Sequence, residues 1–336
     1  MLVTLTGAYR NAGDHLIGTR GRALLSTYVD SDIVNIDRKN ITDEHYEIFN
    51  DAKAVILLGG PAYQSEIFPK IYPIDLDRIK TRVIPMGLGW KGALGQAPET
   101  FEFSTVAKSG VVSLHQKIKT SSVRDVLTLE MIRHQGIKNV EMTGCPAWYK
   151  LDSIDNDYQF QSEVKNIALS LPAKPYRELV DLITEIGKLF PKAKKTMVFH
   201  HGWKPSNSNF GKSMFKWHLK LAAFGALKGW GAVSVADGLE KFERVYSEAD
   251  LHLGYRVHSH IFSLSNRSAS ILVNEDTRGV GQVQTLGGEI LMAGGGAKPI
   301  LKAIEHHLAT QGENSANGVS VMKETFPTML KFLETI

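Results

Sequence analysis

The segment 254-GYRVHSHIFSLSN-266 places Arg256, His258 and His260 within five residues, directly after the apolar run 249-ADLHLG-254. A guanidinium can grip an oxyanion with two parallel N–H donors, and an imidazole titrates near neutrality. Together they can hold an anionic substrate and move a proton. From His258 onward, Ile261 and Leu264 recur at helical spacing, so Arg256 and His258 fall where a strand turns into a helix. The positive end of the helix dipole is then a third cationic feature at the same place. That combination suits a polyanionic substrate. His260, two residues along, points elsewhere on the helix and reads as structural. His-x-His can bind zinc, but no Cys, Asp or Glu lies near in sequence. Neither a metal nor a cofactor is expected.

Three other clusters could meet such a site. In 10-RNAGDHLI-17, Asn11 and Asp14 can accept or donate hydrogen bonds, Gly13 permits close backbone approach, and Asp14 can cap a helix or act as a base. In 59-GGPAYQ-64, Gly59 and Gly60 would let a ligand approach the backbone, though glycines there also simply make turns. In 121-SSVRDVLTLEMI-132, Arg124 opens a helix beside Asp125, placed either to bind a carboxylate or phosphate or to lie on the surface next to a capping aspartate. Other groups read as less chemical. His200 and His201 end a strand and border the cleft, while His306 and His307 sit on a surface helix. Cys145 reads as a small buried residue with nothing beside it to lower its pKa.

The elements that would position these residues alternate along the chain. Strands are expected at 2–7, 33–36, 54–60, 82–89, 111–115 and 139–144, with helices at 15–26 and 125–136. The alternation restarts with strands at 166–172, 195–201, 231–236, 249–254 and 270–274 and a helix at 176–190. Apolar strands separated by helices predict parallel sheets covered on both faces. Two such series predict an α/β protein of two Rossmann-like domains facing a cleft, 1–160 and 166–320, with 321–336 as a helix packing back on the first. In such sheets ligands bind beyond the carboxyl ends of the strands, where the clusters above fall. The stretch 202-GWKPSNSNFGK-212 reads as a mobile loop.

Composition sets outer bounds. The chain has 336 residues, 43% hydrophobic and 22% charged, as ordinary for a soluble globular protein. Its single cysteine cannot form an internal disulfide and fits a reducing cytosol. The first residues read as a strand and not a signal peptide, so a cytoplasmic place is expected, at the inner face of a membrane. The net charge of +4 favours anionic substrates or a peripheral membrane contact. No nucleic-acid partner is expected.

These pieces, in this order, resemble the polysaccharide pyruvyl transferase family. The segments that carry the likeness are 10-RNAGDHLI-17, 57-LLGGPAYQ-64, 123-VRDVLTLEMIRHQG-136 with 143-TGCPA-147, and 256-RVHSHIFSLSNRSASILVN-274. Arg10 stands where that family usually has Gly, and Cys145 where it usually has Asp. The resemblance implies a fold like the two-domain GT-B glycosyltransferase architecture. It implies transfer of the pyruvyl group of phosphoenolpyruvate onto hydroxyls of a sugar or lipid-linked glycan, forming a ketal. It puts the substrate-binding arginines on Arg124 and Arg256 and the catalytic histidine on His258. A protonated His258, kept charged by the substrate's anions, would be the acid. Two other functions compete. A GT-B glycosyltransferase using a nucleotide sugar would hold its donor through Glu275 or Asp276 in 274-NEDTRGVGQ-282. A sugar-binding relative without turnover would have no use for Arg256 and His258 together.

Overall fold

The computed structural model describes residues 1–7, 12–202, 212–236 and 238–336. The candidate Asn11 and most of the 202–212 segment lie outside the described residues.

The first half builds one parallel sheet from β1 (Leu2–Thr6), β2 (Ile33–Asp37), β3 (Ala54–Leu58) and β4 (Arg82–Met86), in the order β2-β1-β3-β4. A bridge from Leu88 to Val123 continues it into β5 (Ser121–Val123), which pairs with β6 (Val140–Met142). Helices α1 (Ala12–Tyr28), α2 (Glu44–Asp51), α3 (Thr105–Gln116) and α4 (Val126–His134) cover it. β1 and β3 are buried at every residue, as a central strand covered on both faces must be.

The second half builds a six-stranded sheet in the order β12-β11-β10-β7-β8-β9. Its strands are β7 (Asn166–Ser170), β8 (Lys194–Phe199), β9 (Trp230–Ser234), β10 (Leu251–Gly254), β11 (Ala269–Asn274) and β12 (Leu291–Met292). Between and after them run α5 (Glu178–Leu189), α6 (Lys212–Leu227), α7 (Leu239–Ser247), α8 (Val257–Ser265), α9 (Thr277–Leu286), α10 (Ala297–Ala309) and α11 (Glu313–Leu333). Every strand pairing among the described residues is parallel.

Two findings differ from the sequence reading. Residues 111–115 are the end of α3 and not a strand. Ser104 caps this helix by accepting from the Ala107 N–H, and Ala107, Val111 and Leu114 bury one helical face. His307, expected on a solvated surface, is buried beside the Phe160 ring, while His306 is exposed.

The two halves share a core. One apolar cluster joins Leu16, Leu24 and Trp148 to Phe242, Phe262, Leu264 and Met329. Polar staples cross the same boundary. Arg20 of α1 donates to the Ala147 carbonyl and to Ser265 Oγ of α8, each at 2.5 Å, with its guanidinium 5.3 Å from the Phe262 ring. Gln282 of α9 accepts from Trp148 Nε1 at 2.8 Å and donates to the Arg124 carbonyl at 3.1 Å. Arg82 donates to the carbonyls of Thr335 and Ile336, tying the end of the chain to the first sheet. The helices that carry the candidate residues are therefore held in fixed register with each other across the boundary.

Candidate functional site

Arg256 and His258 owe their position to the end of β10. Gly254 has φ of 142°, and a Cβ there would lie 2.2 Å from the Ser170 carbonyl oxygen, so no other residue fits this close pass between β10 and β7. The chain turns sharply, Tyr255 N–H donates to the Ser170 carbonyl, and Arg256 becomes the N-cap residue of α8. Its Nε donates to the Leu171 carbonyl at 2.7 Å and its Nη2 meets His201 Nδ1 at 3.1 Å. His258 follows in the first turn, and its ring packs against α1 of the other half at Gly13. A Cβ on Gly13 would be 2.1 Å from His258 Nδ1 and 2.5 Å from Cγ. The missing side chain at Gly13 thus leaves the space that the imidazole occupies. His258 Nε2 is enclosed and has no hydrogen-bond partner among the described residues. An enclosed imidazole nitrogen left unsatisfied is costly, and such groups mark places where a ligand completes the structure.

Arg124 reaches the same region from the first half. It stands between β5 and α4, seated on Gly89, where a Cβ would be 2.0 Å from its Nε. It is fully buried: Nε donates to Asp125 at 2.9 Å and Nη2 points to the Trp90 carbonyl at 3.4 Å. Asp125 in turn caps α4 by accepting from the Thr128 N–H and hydroxyl. Asp125 is thus the cap, but Arg124 is buried and not on the surface beside it, and its charge bears on His258. Gly59 and Gly60, at positive φ of 60° and 81°, form the turn after β3. Gly59 is pressed on Ile17 and the Gly60 carbonyl accepts from Gly89 N–H, so both serve the backbone under Arg124.

Two arginines escaped the sequence reading. Arg278, in the first turn of α9, makes a bidentate pair with Asp276, its Nε 2.9 Å from both carboxylate oxygens. Its charge bears on His258, Arg256 and Asp14 alike. Arg38 leans on the Tyr72 ring at 5.1 Å and faces the Asp14 carboxyl beside Gly7. The available signal was 276-DTR-278 after a strand, an acidic cap with an arginine in the first helical turn.

The titration states are set by burial. Enclosure pushes the Asp14 carboxyl up to about 6, against the pull of Arg38 and Arg278. Enclosure, then Arg124 and Arg278, pushes His258 down to about 3. Without a ligand His258 is therefore neutral, and the imidazolium expected from the sequence depends on the substrate's anions. The positive neighbours are present and the anions that would offset them are not. Burial likewise raises Cys145 to about 11, leaving it an inert thiol.

Beneath α8 lies a polar network. Ser170 Oγ joins His252 Nε2 at 2.9 Å and accepts from the Arg256 N–H at 3.2 Å. His252 Nδ1 and His260 Nδ1 each lie 2.7 Å from Ser270 Oγ. His200 Nε2 meets Tyr246 OH at 2.7 Å and Ser259 Oγ at 3.2 Å. Burial holds His200 and His252 well below the ordinary 6.5 and puts His260 at about 4. An unfolded chain takes up these protons near pH 6.5, whereas the folded one resists them, so stability is full above that pH and falls as the pH drops towards 4. Asp14 and Glu275, both raised by burial, work in the opposite direction, but as two groups against several. Each histidine contributes on the order of 1 kcal/mol per pH unit in that window. Urea midpoints should fall steeply between pH 6.5 and 4, and a flat profile would mean that these rings are not buried neutral.

Among the described residues no three His, Cys, Asp or Glu side chains cluster as metal ligands, and no helix is long and apolar enough to cross a membrane.

No curated protein sequence matches the chain. Solved structures match its fold at low identity. UDP-GlcNAc 2-epimerase from Methanocaldococcus jannaschii, solved with UDP-GlcNAc and UDP, is 14% identical over 96% of this chain and 99% of its own, with a TM-score of 0.52. UDP-GlcNAc 2-epimerase from Neisseria meningitidis, bound to UDP-GlcNAc, is 10% identical over 98% and 99%, with a TM-score of 0.58. A glycosyltransferase from Rickettsia africae is 11% identical over 98% and 96%, with a TM-score of 0.54. These likenesses identify the fold as GT-B. The family model for polysaccharide pyruvyl transferase matches residues 11–277, a span that runs from the first helix through Arg124, Arg256 and His258 to the start of α9, and the chain belongs to that family of transferases.

Proposed function

We propose that the protein transfers the pyruvyl group of phosphoenolpyruvate to hydroxyls of a sugar in a glycan or glycan precursor, closing a ketal. The observation that carries this reading is that Arg124 and Arg278 bear on His258, whose enclosed Nε2 has no partner among the described residues, while Arg278 also bears on Arg256 at the start of α8. Phosphoenolpyruvate has a phosphate and a carboxylate on adjacent atoms of a small frame. Guanidinium groups from both halves, with the N-terminus of α8, suit that pair of anions and offset their mutual repulsion.

The chemistry follows from the charges. Bound anions offset Arg124 and Arg278, so His258 takes up a proton as the donor binds. The imidazolium gives that proton to the methylene carbon, whose π electrons form the new C–H bond and leave positive charge on the carbon bearing the phosphate. A sugar hydroxyl attacks that carbon and loses its proton, the C–O bond to phosphate breaks with its electrons on phosphate, and a second hydroxyl closes the ring, giving its proton to the now neutral His258. Arginines beside the leaving group stabilise its charge where it develops. Asp14, one residue from the seat of His258, has a pKa near neutrality and serves as the base for a hydroxyl proton. Gly13 and the turn of Gly59 and Gly60 line the acceptor side in this reading.

The neighbours' fold suits nucleotide sugars too, and Glu275 is a candidate group to hold one, but its carboxylate accepts from the Ala173 N–H at 3.1 Å and is already engaged. Thermal shift with phosphoenolpyruvate against UDP and GDP sugars separates the two functions. Phosphoenolpyruvate should raise the melting temperature, and phosphate should be released in the presence of one member of a glycoside panel. Stabilisation by a nucleotide sugar alone would reject the proposal.

A further inference from the structure

The chain's positive charge is unevenly placed. Between Glu185 and Asp237 there are nine lysines and no Asp or Glu, whereas the whole chain has a net charge of only +4. The rest of the protein is therefore net acidic, and the segment is a basic island. Helix α6 lies within it. Its outward stripe comprises Lys216, Leu219, Lys220, Ala223, Ala226 and Leu227, all exposed. Leu227 is 86% exposed and Leu219 46%, on a helix whose opposite face packs Leu221 into the core of the second sheet. Neither Lys216 nor Lys220 forms an ion pair with a described residue, and Lys228 extends over the Phe224 ring at 5.8 Å.

We infer that the exposed face of α6 docks the protein on an anionic lipid bilayer. Lysines alone would fit any polyanion. The discriminating feature is their interleaving with exposed leucines, because a soluble polyanion gains nothing from Leu219 and Leu227, whereas the headgroup boundary of a bilayer takes up both kinds of side chain at once. Lysine stems can lie along the apolar boundary while their ammonium groups reach the phosphates. Acidic residues, which an anionic surface would repel, are absent from this stretch of chain.

Co-sedimentation of the full chain with vesicles tests this, whatever donor the catalytic site takes. Vesicles of phosphatidylcholine with about one-third phosphatidylglycerol should bind it, pure phosphatidylcholine should not, and about 0.5 M salt should release it because the Debye length falls below about 5 Å. Lys216→Gln with Lys220→Gln should weaken partitioning about 20- to 30-fold. Lys216→Arg with Lys220→Arg should restore it. Leu219→Ser with Leu227→Ser should weaken it roughly tenfold, since two apolar side chains then stay in water. All of these side chains are exposed, and unchanged melting temperatures establish that each variant is folded. Equal binding to pure phosphatidylcholine, or unchanged binding by the Gln variant, would overturn the assignment. So would binding that depends on the lysines but not the leucines and is competed away by inorganic polyphosphate, which marks a soluble polyanion as the partner.

Discussion

His258→Gln is expected to lose roughly 10²–10⁴ in turnover while the protein stays folded and still binds phosphoenolpyruvate. The amide approximates the ring in size and can hydrogen-bond an anion, but it cannot give up a proton. Arg124, Arg256 and Arg278 remain to hold the donor. Because the free imidazole sits at about 3 and must gain a proton with the donor, binding should take up protons in the wild type and fewer in the variant. Calorimetry in buffers of different ionisation enthalpy reads this directly. The activity profile should rise as Asp14 ionises near pH 6 and fall as the donor-bound imidazolium deprotonates at higher pH. Two outcomes would remove His258 from the chemistry. One is a variant whose turnover recovers at saturating phosphoenolpyruvate, which assigns the residue to binding alone. The other is a large fall in melting temperature with activity retained.

The fold class was legible because strands buried on both faces read as short unbroken apolar runs, and β1, β3, β7 and β11 are of that kind. Segment 111–115 misled for a physical reason. Five residues of VVSLH fit a strand run and one turn and a half of a buried helix equally well, and only the longer spacing from Ala107 with the cap at Ser104 separates them. β5 has three residues and makes its place by pairing, which no local pattern reports. Among the candidates, Arg256 and His258 were visible because they are adjacent in sequence to the strand end that positions them. Arg278 was not, because its meaning depends on α9 crossing to the first half through the Thr277 hydroxyl at Gly92 and the Gln282 amide at Arg124. The neutral state of His258 was likewise hidden. Its sign comes from enclosure and from two arginines distant in sequence. The buried chain from Ser270 through His252 to Ser170 joins three strands, and each member looks like an ordinary strand residue in isolation.

Gly13→Ala should be the most economical probe of the site, since it adds one methyl group and no charge. Gly13 lies in the first turn of α1 at an ordinary helical φ, so alanine adds no backbone strain, and helix propensity favours it by up to about 1 kcal/mol. The damage falls elsewhere. The added carbon would sit 2.1 Å from His258 Nδ1, 2.5 Å from Cγ and 2.8 Å from Cβ, too close for any side-chain torsion to relieve while the ring keeps its place. The Cβ contact means that α8 itself must yield or the imidazole must swing out, and Arg20 binding Ser265 resists the first course. A displacement of about 1 Å at a reacting group commonly costs about 10²-fold. Turnover should therefore fall at least that far, while the melting temperature changes by no more than a few degrees and phosphoenolpyruvate affinity stays within about tenfold, because the arginines are seated on other glycines. Pairing Gly13→Ala with His258→Gln tests the route of the effect. If the methyl group acts only by displacing the imidazole, the double variant should be little worse than His258→Gln alone. Additive losses would mean that Gly13 meets the substrate itself, and a Gly13→Ala protein with full turnover would show that His258 does not work from this seat.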